Sequence, residues 1–194
     1  MTAAPSLDAQ RADFASRRFL AMPLAGMLAW AGVAACGALL PVGPAALALF
    51  IATGGIVYLG MFLSRFTGEH FLDRSRPKNA FDRLFFSTVA MALLAYGIAI
   101  PFFRADPTSL PLSVGILSGM MWLPVSWLIG HWIGVAHAVG RTVLVVVAWY
   151  AWPEARFVAV PMVIVLAYAV TIFVLERRWR ALPRGSAGAV AAAA

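Results

Sequence analysis

Six apolar runs of roughly twenty residues each follow one another along the chain, separated by polar or proline-containing segments. They lie at 19–40, 44–63, 84–103, 110–129, 131–152 and 157–175. An α-helix needs about 20 apolar residues to cross a hydrocarbon core of about 30 Å. With 194 residues, 62% of them hydrophobic and 12% charged, the chain has little length left for anything else. The sequence therefore predicts an all-α, polytopic transmembrane bundle of six spans.

Basic residues are distributed unequally among the segments that connect these runs. Twelve lie in the N-terminal lead 1–18, the long loop 65–83 and the tail 177–194, whereas the short connections hold two, Arg104 and Arg156. Because short loops rich in Lys and Arg are retained in the cytoplasm, this asymmetry predicts that both termini lie inside. Arg exceeds Lys by 14 to 1 and Ala is abundant. This composition favours a GC-rich bacterium, and we therefore expect the bacterial cytoplasmic (inner) membrane.

The domain organisation follows from the same pattern. We expect a cytoplasmic N-terminal lead at 1–18, a transmembrane domain at 19–176 with the cytoplasmic loop 65–83, and a basic, then Ala-rich, cytoplasmic tail at 177–194. The net charge of +7 is explained by this topology, and no basic stripe interleaved with aromatic residues is present. The partner we expect is the lipid bilayer, and nucleic acid is not expected.

The most informative polar residues lie between positions 126 and 141, which include His131, His137 and Arg141. On one continuous helix, Gly130, Gly134, His137 and Arg141 would share a face, and His131 would be offset from it. We interpret these three polar side chains as the candidate intramembrane site.

Two positions for Arg141 stay open at this point. If the fifth span starts near His131, Arg141 lies about 15 Å into the membrane, where a charged residue is a candidate functional group. If the turn instead lies at 134–140, Arg141 snorkels at the cytoplasmic boundary. The second interpretation leaves only residues 142–152 for the span, which is too short to cross.

The remaining candidates are weaker. For the histidines we favour interfacial rings over a ligand or proton-relay role, because two histidines six residues apart do not form a metal site. Cys36 is the only cysteine, which excludes a disulfide framework and a cysteine-based metal site. No cofactor or metal motif is present in the sequence, so none is expected. Small residues four apart predict close helix packing, and they occur at Gly115 and Gly119, and at Gly130 and Gly134.

A cytoplasmic cluster of Glu69, His70 and Asp73 could bind a cation. We favour a simpler interpretation, in which Arg65 pairs with Glu69 along a continuation of the second helix as far as Asp73. Pro77 would then mark its limit.

The six spans, together with the run Gly130-His131-Trp132-Ile133-Gly134-Val135-Ala136-His137 and the following Arg141-Thr142, resemble a family of uncharacterised six-span bacterial integral membrane proteins, a domain of unknown function. The resemblance covers nearly the whole chain and implies the topology, but no activity.

Three functions are compatible with these residues. The first is a component of a small-solute or ion pathway, with a polar cavity near Arg141, working within a homo-oligomer. The alternative is a non-catalytic membrane scaffold or accessory subunit. A membrane-embedded enzyme ranks last, because convergent acids or a nucleophile near one face are needed for catalysis and few candidates are present.

Overall fold

A computed structural model describes residues 5–69 and 79–182 of the chain, and every regular element within these two ranges is a helix. The α-helices are α1 Leu7–Ser16, α2 Ala21–Leu39, α3 Val42–Gly54, α4 Ile56–Thr67, α5 Ala80–Leu94, α6 Tyr96–Ala105, α7 Leu110–Gly119, α8 Trp122–Ile129, α9 Ile133–Ala151 and α10 Arg156–Ala181. Short 3-10 turns at Pro107–Ser109 and Pro153–Ala155 precede α7 and α10.

Five helical stretches are long and apolar enough to cross a membrane: Ala21–Leu39, Ala80–Ala105, Pro107–Ile129, Ile133–Ala151 and Pro153–Ala181. The pair α3 and α4 makes a sixth if it is counted as one span, since the two helices meet at a bend of 52°. The predicted all-α class with several apolar spans is therefore confirmed, with five to six candidate spans. The orientation in the membrane stays a prediction.

Several predicted spans contain a break that their hydropathy does not reveal. Helices α3 and α4 meet at Gly55, and α7 and α8 are separated by Met120 and Met121. The second break has a chemical cause in Pro124, which lacks a backbone N–H and cannot donate to the carbonyl of Met120. The N–H of Leu123 donates to that carbonyl instead, over 3.1 Å, which tightens the turn.

The end of α4 differs from the expectation. The helix stops at Thr67, and Gly68 adopts a left-handed conformation with φ of 74°, a common way to terminate a helix. The predicted unbroken helix is therefore wrong at Gly68, and the part of that prediction from His70 to Asp73 lies outside the described residues.

Helix α2 is central and packs against α3, α4 and α10, while α9 packs against α7, α8 and α10. Helix α1 and the last turns of α10 meet at one end of the bundle. There Arg18 forms an ion pair with Glu176 at 3.0 Å, and Arg178 donates to the carbonyl of Ala15 at 2.6 Å. We call this end of the molecule the α1 end.

Candidate functional site: a buried arginine among aromatic rings

Arg141 is the ninth residue of the 19-residue helix α9, which begins at Ile133. At a rise of 1.5 Å per residue, Arg141 lies about 12 Å along the helix, close to its middle. Its side chain is only 1% exposed. The alternative with a turn at 134–140 is wrong, because α9 is continuous through those residues.

Neutral groups surround the guanidinium of Arg141. Nη2 donates to Oγ of Ser118 at 3.0 Å, and Nη1 donates to the hydroxyl of Tyr168 at 3.4 Å. The Cζ atom lies 5.4 Å from the ring centroid of Trp30 and 5.5 Å from that of Tyr168. Among the described residues, no carboxylate forms an ion pair with Arg141. A buried positive charge therefore stands without a negative partner in the part of the chain that the structure covers.

Gly119 provides the space that the arginine side chain occupies. A Cβ atom added to Gly119 would lie 3.1 Å from Cδ and 3.2 Å from Nε of Arg141, which is tighter than an ordinary contact. The glycine ends α7, immediately before the break. The break thus lies beside the charged group.

His137 lies one turn before Arg141 on the same face of α9 and is 3% exposed. Its Nδ1 is 2.8 Å from Oγ1 of Thr171, and the hydroxyl of Thr171 itself donates to the carbonyl of Ala167. In a neutral His137, Nδ1 must therefore carry the hydrogen and donate to Thr171, because that hydroxyl has only one hydrogen to give. Nε2 is left as a buried acceptor with no partner in the part of the chain that the structure describes.

Aromatic rings complete the surroundings. The ring centroid of His137 lies 4.6 Å from that of Trp122 and 4.8 Å from that of Tyr168. We define the Arg141 cluster by the following residues, which come from five helices: Trp30, Ser118, Trp122, His137, Arg141 and Tyr168. Three buried N–H donors in it have no acceptor within residues 5–69 and 79–182, namely Nε of Arg141 and the indole nitrogens of Trp30 and Trp122.

Two residues of the predicted constellation lie elsewhere. His131 belongs to the turn between α8 and α9, where its Nδ1 accepts a hydrogen bond from the N–H of Ile133 at 3.2 Å. Gly130 terminates α8 with φ of 61° and so does not share the face of α9 with Arg141. The prediction of one face from Gly130 to Arg141 fails because the helix is interrupted between them.

The other predicted packing glycines do lie at close helix contacts. A Cβ atom on Gly134 would overlap the carbonyl oxygen of Trp122 and lie 2.6 Å from Cβ of Ser126. One on Gly115 would lie 3.2 Å from Cδ1 of Ile164 on α10. Gly134 therefore brings α8 against α9 and places Trp122 beside His137.

Of the predicted cytoplasmic cluster, only Glu69 lies within the described ranges; His70 and Asp73 fall outside them. Oε1 of Glu69 accepts from the N–H groups of Leu20 and Ala21 at 2.9 and 2.8 Å, so Glu69 caps α2 rather than pairing with Arg65. The residue is 7% exposed. Burial raises the pKa of its carboxyl group, although the two backbone N–H groups act in the opposite direction. The described part of the chain holds no group of three residues suited to a metal ion.

The sequence prediction missed Trp30, Ser118 and Tyr168 as partners of Arg141. One available signal was the depth of the two aromatic residues. Trp30 lies near the middle of the first predicted span and Tyr168 inside the last. Trp and Tyr prefer the membrane interfaces, so rings at such depth indicate a polar contact within the protein.

The apolar helices and the enclosed polar cluster place the chain in the class of multi-pass helical membrane proteins. Residues 7–178 match a family model described as "Family of unknown function (DUF7010)", and the chain belongs to that family. No curated protein and no solved structure matches the chain.

Proposed function

We propose that the protein binds a small anionic solute at the Arg141 cluster and forms part of a pathway for such solutes across the membrane. The observation that carries this proposal is the guanidinium of Arg141, which is buried without a carboxylate partner in the described ranges. Its Nε also lacks an acceptor among the residues that the structure describes.

The free-energy cost of burying the charge of Arg141 favours the binding of an anion beside it. A buried charge costs several kcal/mol unless a partner of opposite charge compensates it. The two ring faces near Arg141 return about 1 to 2 kcal/mol each at best. An apolar side chain would fill the same space without the cost. A bound anion would offset it and would also accept a hydrogen bond from Nε of Arg141, which has no acceptor among the described residues.

The broken helices support a site that opens. Irregular backbone is tolerated at membrane depth where protein or a water-filled cavity surrounds it, and such breaks are typical of transport sites. The break between α7 and α8 follows directly on Gly119, which contacts Arg141. The bend of 52° between α3 and α4 offers a second hinge. Movement at these breaks would give solutes access to the enclosed cluster.

A scaffold or accessory subunit is the second candidate function. It is favoured by the contacts of Arg141 with Trp30, Ser118 and Tyr168, which brace α2, α7 and α10 against α9. In that case Arg141 would serve only the stability of the bundle.

Uptake into liposomes tests the proposal. Purified protein is reconstituted, and uptake of labelled chloride, phosphate and short carboxylates is measured against protein-free vesicles. We expect uptake of at least one anion by wild-type protein and its loss in Arg141→Gln, with thermal stability at or above that of wild type because a buried charge has been removed. Arg104→Gln, the same change at an exposed position on α6, is the control and should transport normally. Absence of uptake in every case, combined with a lower melting temperature for Arg141→Gln, would establish the scaffold function instead.

A further inference from the structure

Two arginines from different helices converge on the turn that joins α8 to α9, at the α1 end. Nη2 of Arg11, on α1, donates to the carbonyl of Trp127 at 2.6 Å. Nη2 of Arg178, on α10, donates to the carbonyl of Ile129 at 3.2 Å. Both carbonyls belong to the last turn of α8. The turn itself contributes His131, and we define Arg11, His131 and Arg178 as the turn cluster.

The positive charges of the turn cluster are not balanced by acidic side chains. Among the described residues, neither Arg11 nor Arg178 forms an ion pair with a carboxylate. Carboxylates at the α1 end pair with other arginines instead, as Asp13–Arg17, Asp82–Arg17 and Glu176–Arg18. The turn cluster is therefore a site of uncompensated positive charge within the ranges that the structure covers.

The cluster also retains hydrogen-bond donors for a ligand. Within the described ranges, Arg11 and Arg178 each use only Nη2 in hydrogen bonds, although a guanidinium carries five N–H groups. Nδ1 of His131 accepts from the N–H of Ile133, so the hydrogen of a neutral ring lies on Nε2, which can donate. Burial lowers the pKa of His131, and the charge of Arg178 lowers it further, which favours this neutral form. Several donors are thus available to a group that only accepts.

The surroundings of the turn are those of a membrane interface. Trp127 and Trp132 flank the turn, and both side chains are largely exposed, as is usual for Trp at the level of lipid headgroups. From Trp132 a stripe of exposed apolar side chains follows the outer face of α9 through Val135, Val139 and Val143. In a multi-pass protein such a stripe faces acyl chains. The turn cluster therefore lies where a headgroup and its chains meet.

We propose that the turn cluster binds the phosphate of an anionic phospholipid, whose acyl chains lie along the valine stripe of α9. Phosphate oxygens accept hydrogen bonds from guanidinium groups in a favourable paired geometry. Basic pockets between the ends of transmembrane helices are suited to acidic lipids. A soluble phosphate would satisfy the same donors but would make no use of the adjoining apolar stripe. This lipid site is separate from the Arg141 cluster and does not depend on the proposed anion pathway.

Native mass spectrometry of the full-length protein, released from detergent, measures the affinity of the first bound lipid. The probes are dioctanoyl phosphatidylglycerol and dioctanoyl phosphatidylcholine, with inorganic phosphate as competitor. One basic side chain near an anionic lipid strengthens binding about fivefold, so we expect two to favour phosphatidylglycerol over phosphatidylcholine at least about tenfold. Inorganic phosphate lacks acyl chains and should displace the lipid only at far higher concentration.

Matched variants locate the site. Arg11→Gln and Arg178→Gln should each weaken phosphatidylglycerol about fivefold and leave phosphatidylcholine unchanged. Arg177→Gln is the control, because Arg177 is the adjacent residue of α10 but its guanidinium lies over the exposed ring of Phe173, 5.6 Å from the centroid. It removes the same charge at nearly the same depth and should bind phosphatidylglycerol like wild type.

Three results would overturn the proposal. Equal weakening by Arg177→Gln and Arg178→Gln would show diffuse attraction to a basic surface without a site. Equal affinity for the two lipids would show that the charge of the headgroup is not recognised. Displacement by inorganic phosphate at the concentration of the lipid would assign the cluster to a soluble anion. If Arg178→Gln fails to fold, the comparison of Arg11→Gln with Arg177→Gln decides.

Discussion

The close contact between α8 and α9 at Gly134 can be tested by replacing this glycine with alanine. Alanine at Gly134 would place a Cβ atom against the carbonyl of Trp122, 2.6 Å from Cβ and 2.8 Å from the backbone nitrogen of Ser126. Two of these atoms belong to the backbone of α8, so a rotamer change cannot relieve the overlap. Ordinary contact begins at 3.4 Å, so the helices must separate locally by at least about 0.8 Å to relieve the contact with Cβ of Ser126, and by more at the carbonyl of Trp122.

Gly140 supplies a matched control on the same helix. A Cβ atom there meets nothing within 4 Å. Both substitutions gain helix propensity, at most about 1 kcal/mol in water and less at Gly134, which lies in the first turn of α9, so most of this contribution cancels when the two variants are compared. The difference between them isolates the cost of overpacking, which is about 1 to 3 kcal/mol. For a protein of this size, 1 kcal/mol corresponds to about 2–4 °C in melting temperature.

Thermal unfolding of both variants in the same detergent measures this difference. We expect Gly140→Ala to melt at or above wild type, and Gly134→Ala to melt roughly 2 to 12 °C below Gly140→Ala. If the two variants melt together, the close approach of α8 and α9 at Gly134 is absent, and the position assigned to Trp122 beside His137 loses its support.

Two further predictions concern the α1 end. Since burial raises the pKa of Glu69 in the folded protein, its stabilising contribution is complete below the unfolded value of about 4.3 and is lost as the pH rises through the folded value. The melting temperature of wild type should therefore rise relative to Glu69→Gln between pH 7 and pH 4, and parallel curves would contradict this assignment. Reporter fusions at Ala9 and after Arg180 should both report a cytoplasmic location. The reason is that α1 and the end of α10 meet at one end of the bundle, and the basic residues cluster there. A periplasmic signal from either fusion would refute the predicted topology.

The all-α class and the five to six candidate spans could be predicted because membrane thickness sets the length of an apolar run. The breaks within the spans could not be predicted in this way, because hydropathy carries no information about backbone hydrogen bonds. Pro124 was visible in the sequence, but the tightening at Met120 depends on which N–H replaces the missing donor. The end of α4 could have been predicted, since Gly68 is a typical residue at a helix C-terminus. The four-residue spacing of Arg65 and Glu69 instead indicated a continuing helix.

The site was predictable to the level of one helix face and no further. His137 and Arg141 are four residues apart on α9, so local periodicity identifies them together. His131 is six residues before His137 but lies in the turn after Gly130, whose left-handed conformation cannot be predicted from residue spacing. Trp30 and Tyr168 come from α2 and α10, and only tertiary packing brings them to Arg141.

Packing at Gly134 and chemistry at Arg141 are linked through Trp122. Lipid is as apolar as a leucine side chain, so close van der Waals contact at small residues must hold membrane helices together. At Gly134 this contact fixes the backbone of Trp122, whose indole ring packs on the rings of His137 and Tyr168. The break at Met120 and Met121 lies directly before Trp122, so the contact at Gly134 holds α8 in place where the backbone of the span is irregular.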